Sequence, residues 1–429
     1  MKTKAIKIWQ HFMHDGLRRN TTYLIFSQAI NAGTLFLFWI ICARLFDVTV
    51  VGLATAFISF CTLAAVFTNL GLPTTIVRFM PTTKNKVGLF NTATVLTIGA
   101  SLFGSVFAIY LIQFIAPDLS FVQSSAPLIV LLIALVLANA INPLFDNTFM
   151  AYKRGEYILI KALLSYLPRL ILPFLATSLA IVGIVGSYTI LLLVSAILGL
   201  TLIKRSLFQT TSNCLAFNEI IKHRGFAIRN YLGGLAGILP STLVPIIVLN
   251  QLGAEKAAYY YMPMQLAAFL GIIAASTSQA LISEASQHSD NTLHVKQALG
   301  AFKHLFQMLI PAALVLSLIG WLFLRTYGKE YADQGYIPLV ILCIASLFVG
   351  LNWIGDTWLL IQKRMNMFLI VSVINSVMVI SFVYLLSPDG LVMSALGWLS
   401  AQFITVIIYL LVISKGKPYS FFSVQRTSS

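Results

Sequence analysis

Charged side chains recur at one spacing in two distant parts of this 429-residue sequence. The two copies are Asp146 with Lys153 and Arg154, and Asp356 with Lys363 and Arg364. On a helix, this spacing puts each carboxylate roughly 10 Å, or two turns, from its basic pair and on the face of the lysine. Such a carboxylate can take up a cation or hold a gate closed. Alternatively, each aspartate only anchors its helix against a neighbouring lysine or arginine.

A further charged residue, Arg169, lies deep within an apolar run at residues 157–179. A planar guanidinium grips phosphate oxygens through two parallel hydrogen bonds, so Arg169 is a candidate for binding a phosphorylated substrate. The alternative is structural. Arg169 could pair with Asp146, or with backbone carbonyls that Pro168 and Pro173 leave without their helical donors.

The elements that carry these residues follow from the composition. The chain is 59% hydrophobic and 10% charged, with a mean hydropathy of +0.89. That is too little polar surface for a soluble protein of this size. Apolar runs of about 20 residues, the length that crosses a bilayer as a helix, recur from end to end. We count twelve, which predicts an all-α membrane protein with twelve transmembrane helices.

Arg169 then falls about 12 residues, or roughly 18 Å, into the fifth span, close to the bilayer centre. An arginine there costs roughly 2.5 to 3.5 kcal/mol, so a partner or a wet cavity is expected. Polar residues also line one face of the first span, including Gln28 and Asn31. Such a stripe lines water or binds a neighbouring helix. We interpret Gln28 and Asn31 as candidate substrate contacts.

The distribution of basic residues sets the predicted orientation. If the N-terminus is cytoplasmic, 23 of the 28 Lys and Arg residues fall on inner segments, Lys161 being counted there, and four fall on outer segments. This bias is the positive-inside rule, and it predicts a cytoplasmic (inner) membrane protein with both termini in the cytoplasm. It also explains the net charge of +15 without nucleic acid as a partner.

Signs of cofactor or enzyme chemistry are lacking in the sequence. The six histidines show no metal-ligand spacing with an acid or a cysteine, and there is no glycine-rich nucleotide loop. The four cysteines suggest no disulfide framework. We therefore expect no metal, no cofactor, no catalytic residue and no enzymatic activity.

The chain also contains an internal repeat. PLIVLLIA at 127–134 matches PLVILCIA at 338–345, and each run leads into one of the Asp and Lys-Arg phrases, 210 residues apart. This predicts a tandem duplication of six helices around a central cavity. Because six is even, both copies have the same orientation in the membrane, a plan typical of transporters. The predicted segments are an amphipathic segment at 1–19, an N-lobe at 20–203, a linker at 204–229, a C-lobe at 230–414 and a tail at 415–429.

Three phrases resemble one family of membrane transporters. They are ARLFDVTVVGL at 43–53, NLGLPTTIVRFMP at 69–81 and LGAEKAAYYYMPMQL at 252–266. They are similar to the polysaccharide flippases of the multidrug, oligosaccharidyl-lipid and polysaccharide exporter superfamily. The resemblance implies alternating access around a cationic cavity that accepts an undecaprenyl-pyrophosphate-linked oligosaccharide. Arg169 fits such a cavity, and Arg78 fits a position at its inner mouth.

The implied role is surface polysaccharide or lipopolysaccharide assembly, with membrane lipids, a polymerase and glycosyltransferases as partners. Two other classes remain open at this point. A cation-coupled antiporter of drugs or other small molecules needs an accessible carboxylate, for which Asp146 is the best candidate. A polytopic transferase or a scaffold predicts that sugar translocation does not depend on this chain.

Overall fold

The computed structural model describes residues 16–208, 215–222, 224–285 and 291–414. These ranges form helices and turns, and they contain no strand. Twelve helical segments within them are long and apolar enough to cross a membrane, which confirms the predicted number of spans. Helices suit this solvent because each satisfies its own backbone hydrogen bonds where no water is present.

Some predicted segments lie wholly or partly outside the described residues. The N-terminal segment at 1–19 is described only from Gly16 onward, and the tail at 415–429 is outside entirely. The linker at 204–229 is described apart from 209–214 and 223.

The chain divides into two compact units, Met1–Leu235 and Ala236–Ser429. The helices up to the start of the second unit are α1 (Gly16–Leu45), α2 (Val48–Thr68), α3 (Leu72–Phe79), α4 (Lys86–Ile115), α5 (Ala126–Ala151), α6 (Gly155–Tyr166), α7 (Leu172–Leu175), α8 (Ala180–Ser206), α9 (Phe217–Lys222) and α10 (Arg224–Leu252). In this unit α5 packs against α8, and α1 packs along α6. The last of these helices, α10, begins in the first unit and ends in the second.

The second unit continues with five long helices. They are α11 (Ala254–Ala285), α12 (Asn291–Tyr327), α13 (Lys329–Ile361), α14 (Met365–Leu386) and α15 (Leu391–Ser414). Here α13 packs against α11, α12 and α15. Large apolar side chains such as Phe103 in the first unit and Leu318 in the second are 77% exposed. Exposed apolar surface of this kind suits helices that face lipid tails.

The fifth span is not one continuous α-helix, unlike the prediction for 157–179. After α6 the chain forms a 3-10 turn at Leu167–Leu170, the short helix α7, and a second 3-10 turn at Thr177–Leu179. Pro168 and Pro173 explain the break, because each removes a backbone donor and clashes with the preceding turn. Arg169 therefore lies on irregular backbone inside the span.

The first Lys-Arg pair closes the C-terminal end of α5. Lys153 adopts a left-handed conformation with φ of 56°. Its amide donates to Met150 O at 3.0 Å, and the amide of Arg154 donates to Phe149 O at 2.9 Å. This pair of bonds is the Schellman motif, which satisfies the last carbonyls of a helix and usually has glycine at the left-handed position.

The second Lys-Arg pair closes α13 in the same way. Lys363 also has φ of 56°. Its amide donates to Leu360 O at 3.0 Å, and the amide of Arg364 donates to Leu359 O at 2.9 Å. The repeated sequence phrase therefore encodes one turn geometry twice, with lysine in each case where glycine is the usual residue.

Candidate functional site

A buried polar cluster joins α5, α6 and α8 in the first unit. Its ion pair is between Asp146 and Lys161, with 2.5 Å from Nζ to the carboxylate oxygen. The Lys161 side chain is 2% exposed, whereas that of Asp146 is 31% exposed. The charge count assigns Lys161 to an inner segment, but the structure places it inside the span that begins at Gly155. This span therefore contains two buried cations, Lys161 and Arg169.

Asn142 connects the ion pair to the neighbouring helix. Lys161 Nζ donates to Asn142 Oδ1 at 3.1 Å, and the hydroxyl of Ser195 donates to the same oxygen at 2.9 Å. The Asn142 amide donates in turn to Leu192 O and to Ala138 O, both at 2.9 Å. A buried amide with all of these partners fixes the spacing of three helices, because losing any partner leaves a polar atom unsatisfied.

Arg169 lies between two aromatic rings on the broken part of the fifth span. Its guanidinium carbon is 4.8 Å from the ring centroid of Tyr166 and 4.9 Å from that of Tyr188. The residue is 1% exposed, and its Nε has no hydrogen-bond acceptor among the described residues. The alternative pairing of Arg169 with Asp146 is not what the structure shows, because Asp146 pairs with Lys161.

Two cation–π contacts only partly satisfy a buried guanidinium. Each contributes about 0.5 to 2 kcal/mol, and neither accepts a hydrogen bond in the way that an oxygen does. A buried donor without an acceptor costs about 1 to 3 kcal/mol. Arg169 therefore keeps one guanidinium donor, Nε, without an acceptor among the described residues.

The second unit contains the counterpart of this cluster, 210 residues later. Asn352 corresponds to Asn142, and its amide donates to Gln402 O at 3.2 Å and to the Gln402 side-chain oxygen at 2.7 Å. Asn142 and Asn352 thus each bind the carbonyl of the residue 50 positions further on. The duplication therefore extends to the contacts that hold the helices together.

The second carboxylate has different partners from the first. Asp356 accepts hydrogen bonds from the hydroxyl of Tyr409 and from Ser372 Oγ, the latter at 3.5 Å. The position that corresponds to Lys161 is Val371. Among the described residues, Asp356 therefore has hydroxyl donors where Asp146 has an ammonium group.

A pair of substitutions explains how Tyr409 reaches the carboxylate. In the first unit Phe145 packs against Gly199, where an added Cβ would lie 3.0 Å from the phenyl ring. In the second unit the glycine is Gly355, and an added Cβ there would lie 2.7 Å from the ring of Tyr409. The aromatic residue is on α5 and the glycine on α8 in the first unit, whereas the glycine is on α13 and the aromatic residue on α15 in the second. This exchange brings the phenol of Tyr409 beside Asp356.

The basic pairs lie in the turns that close α5 and α13. Lys153 and Lys363 are exposed. Arg154 forms an exposed ion pair with Glu156 at 3.1 Å, a kind of contact that contributes little to stability. Arg364 donates to Val412 O at 3.1 Å and so ties the turn to α15.

The remaining predicted residues lie on α1 and α3. Gln28 is exposed and Asn31 is half-buried on α1, the helix that packs along α6 and the Arg169 turn. Arg78 is exposed at the end of α3, and its guanidinium carbon lies 5.6 Å from the Phe79 ring centroid. The described residues contain no group of three or more His, Cys, Asp or Glu side chains that could hold a metal ion.

Several residues of the clusters are not among the site residues that the sequence predicts. They are Lys161, Tyr166, Tyr188, Ser195, Ser372, Gln402 and Tyr409. Comparison of the two copies offers a signal for some of them. In the sequence repeat, Lys161 corresponds to a valine and Tyr409 corresponds to a glycine. The tyrosines beside Arg169 carry no such signal, because aromatic residues are common throughout the spans.

Comparisons with known proteins show which solved structures have a similar fold. No curated protein sequence matches the chain. Among solved structures, a lipid II flippase, MurJ, in an inward closed conformation has a TM-score of 0.69 at 15% identity, covering 92% of this chain and 87% of its own. A multidrug resistance transporter of the MATE family and MOP superfamily, facing inward, has a TM-score of 0.68 at 15% identity, covering 91% and 98%. At this identity the likeness shows the fold.

A family model described as polysaccharide biosynthesis protein matches residues 17–234. That match covers half of the chain and includes the α5, α6 and α8 cluster and Arg169. With the predicted spans, the duplicated contacts and the shared fold, it identifies this chain as a multi-pass membrane protein of the polysaccharide biosynthesis protein family, with the fold of MOP-superfamily transporters and flippases.

Proposed function

We propose that this protein translocates an undecaprenyl-pyrophosphate-linked oligosaccharide across the cytoplasmic membrane. It does so by alternating access of its N-lobe and C-lobe, with both termini in the cytoplasm. The product serves surface polysaccharide assembly, for example lipopolysaccharide, together with a polymerase and glycosyltransferases. The family match and the fold support a flippase, and the site residues support an anionic substrate.

Arg169 carries this proposal. It is buried inside the fifth span, its guanidinium contacts the rings of Tyr166 and Tyr188, and its Nε has no acceptor among the described residues. A pyrophosphate supplies acceptor oxygens for such a group, and charge-assisted bonds of this kind are roughly twice as strong as neutral ones. Gln28 and Asn31 on the adjacent α1 can contact the sugar, and Arg78 can meet the substrate at the inner mouth.

Replacement of Arg169 tests the proposal. We expect Arg169→Ala to abolish translocation of the lipid-linked oligosaccharide into proteoliposomes, and to abolish surface polysaccharide in cells, because the anion loses its ligand. Arg169→Lys should retain partial activity, since it keeps the charge but loses the two-pronged contact. Arg205→Ala, at an exposed position near the end of α8, is the matched control and should translocate normally.

Membrane insertion separates this effect from misfolding. Arg169→Ala should remain in the membrane at the wild-type level and elute from a sizing column as wild type does. Full translocation by that variant would exclude Arg169 from substrate binding.

Asp356 favours a second candidate function, cation-coupled antiport of a drug or other small molecule. Asp356 lies in a span, and the described partners of its carboxylate are hydroxyls. No basic side chain among these partners neutralises its charge. Asp146 is less suited to ion coupling, because Lys161 neutralises it. In either function Asp356 is the better site for a coupling cation, and the Lys-Arg turns are candidate gates.

Substitution of the two aspartates distinguishes these roles. We expect Asp356→Asn to lose the dependence of transport on a proton or sodium gradient, whereas Asp146→Asn should lower protein stability. Transport in vesicles with an imposed gradient, measured beside thermal unfolding, checks both effects. Unchanged coupling in Asp356→Asn would contradict the assignment. A deletion strain that becomes drug-sensitive but keeps its surface polysaccharide would favour antiport.

A further inference from the structure

An apolar groove of about 570 Å³ lies in the first unit between α5, the broken fifth span and α8. Its walls come from the first turns of α5, from residues 172–179 and from the first turns of α8. The volume falls within the range of sites that hold small ligands. By the predicted orientation, these segments form the outer half of their spans.

The walls of the groove exclude polar ligands. Ser187 is the single polar residue that lines it, and its hydroxyl is occupied by a 2.7 Å hydrogen bond to Gly183 O. Every other lining residue is apolar, including Val130, Leu175 and Ile190. A sugar or a phosphate would therefore find no partner here, whereas a hydrocarbon chain would bury apolar surface.

Two glycines on α8 shape the groove. An added Cβ at Gly183 would lie 2.2 Å from Ala176 O, so glycine is needed where the fifth span approaches α8. Gly186, one turn further on, is buried, yet an added Cβ there would meet no atom within 4 Å. Gly186 thus leaves open a space inside the protein that any larger side chain would fill.

Two wall residues of the groove are close in sequence to the buried cation and to one of the rings that contact it. Ser187 lines it, and the next residue, Tyr188, stacks 4.9 Å from the Arg169 guanidinium carbon. Leu172, three residues after Arg169, is also in the wall. A positive charge three residues before the wall residue Leu172 complements a molecule with an anionic head and a hydrocarbon tail.

We propose that this groove holds the hydrocarbon chain of the translocated lipid, in the segment next to its phosphate, while the phosphate is at Arg169. The inference rests on the proposed function and adds a site for the lipid tail. A resident phospholipid fits less well, because its phosphate stays at the membrane surface. Arg169 is expected roughly 18 Å into its span, a depth reached by the phosphate of a lipid in transit.

Photocrosslinking of two labelled lipids tests this proposal. Leu175 is 77% exposed, so it tolerates replacement by p-benzoylphenylalanine. The full-length protein with this probe is placed in liposomes containing either tritiated undecaprenyl pyrophosphate or tritiated phosphatidylglycerol. We expect capture of undecaprenyl pyrophosphate to exceed that of phosphatidylglycerol by about tenfold or more at equal concentration.

The second part of the experiment tests the effect of filling the groove with a larger side chain. Gly186→Leu, combined with the probe, should reduce capture of undecaprenyl pyrophosphate by about tenfold, because the leucine occupies the space of the chain. The matched control is Gly99→Leu on α4, an exposed glycine whose added Cβ also meets no atom within 4 Å. This control should leave capture unchanged.

The outcomes separate the groove from the proposed function. Equal capture of the two lipids, or capture that Gly186→Leu does not reduce, overturns the groove assignment even if the wild-type protein translocates the lipid-linked oligosaccharide. Absence of translocation by the wild-type protein overturns the function, whatever the capture. Should Gly186→Leu fail to fold, the comparison of the two lipids with the Leu175 probe decides.

Discussion

The contact between Asp146 and Lys161 decides between two roles for Asp146, which are anchoring a helix and binding a coupling ion. Lys161 is nearly inaccessible and also donates to Asn142, so the ammonium is held by two acceptors. A carboxylate paired in this way is neutralised in place. Asp146 is therefore better explained as the anchor of α5 against α6 than as a site for a coupling ion. The sequence alone left both roles open.

Removal of the ammonium tests the anchoring role. We expect Lys161→Met to destabilise the protein by about 1 to 3 kcal/mol, because the half-buried carboxylate and Asn142 each lose a donor. The value is below the roughly 3 to 5 kcal/mol of a fully buried pair, since water reaches Asp146. Thermal unfolding of the purified protein measures the change.

The exposed pair of Arg154 with Glu156 provides the control. Glu156→Gln should change stability by no more than about 1 kcal/mol, because solvent screens that pair. If Lys161→Met and Glu156→Gln had equal effects, the buried pair would not be an anchor. The double variant Asp146→Leu with Lys161→Met should recover part of the lost stability, since neither charge is then left alone.

At the scale of elements, the two Lys-Arg turns are the clearest product of the repeat. Both place a lysine at φ of 56°, where a side chain costs roughly 1 to 2 kcal/mol relative to glycine. Both lysine side chains are exposed. Retention of a strained lysine in both copies supports a role for its charge, in line with the proposed gates.

Replacement of the strained lysine should raise stability. We expect Lys153→Gly to stabilise the protein by about 1 kcal/mol, because glycine adopts the left-handed conformation without strain. Lys204→Gly in α8, also exposed but helical, should destabilise by about 1 kcal/mol. Thermal unfolding of the two variants therefore gives opposite signs. If both were destabilised, the lysine conformation would not be strained.

The sequence predicts elements better than it predicts contacts between them. The number of spans follows from hydropathy, because the apolar length of a segment is a local signal. The repeat shows where the two copies correspond, and the structure then gives the turn geometry at both. Hydropathy does not predict the break after Tyr166, although Pro168 and Pro173 are present in the sequence, since a span often tolerates proline. The depth of Lys161 and the rings around Arg169 depend on how α5, α6 and α8 pack, which periodicity alone does not determine.

At the scale of the whole molecule, the two units share a scaffold but differ in chemistry. The asparagine contact is conserved between them over 210 residues, while the lysine and arginine of the first unit correspond to Val371 and Val379 in the second. Duplication thus supplied equivalent helix contacts, and later substitutions changed the charges. The proposed anion site therefore lies in the first unit, and the proposed cation site at Asp356 lies in the second.

The tandem repeat of six spans predicts that both units have the same orientation in the membrane. In a background with the four native cysteines replaced by serine, we expect Asp118→Cys and Asp389→Cys to react with a membrane-impermeant maleimide on intact cells. Lys153→Cys and Lys363→Cys should react only after permeabilisation. All four positions are exposed, so access depends on the side of the membrane. If Lys153→Cys and Lys363→Cys reacted from opposite sides, an odd number of spans would separate them, and the two units could not be parallel copies.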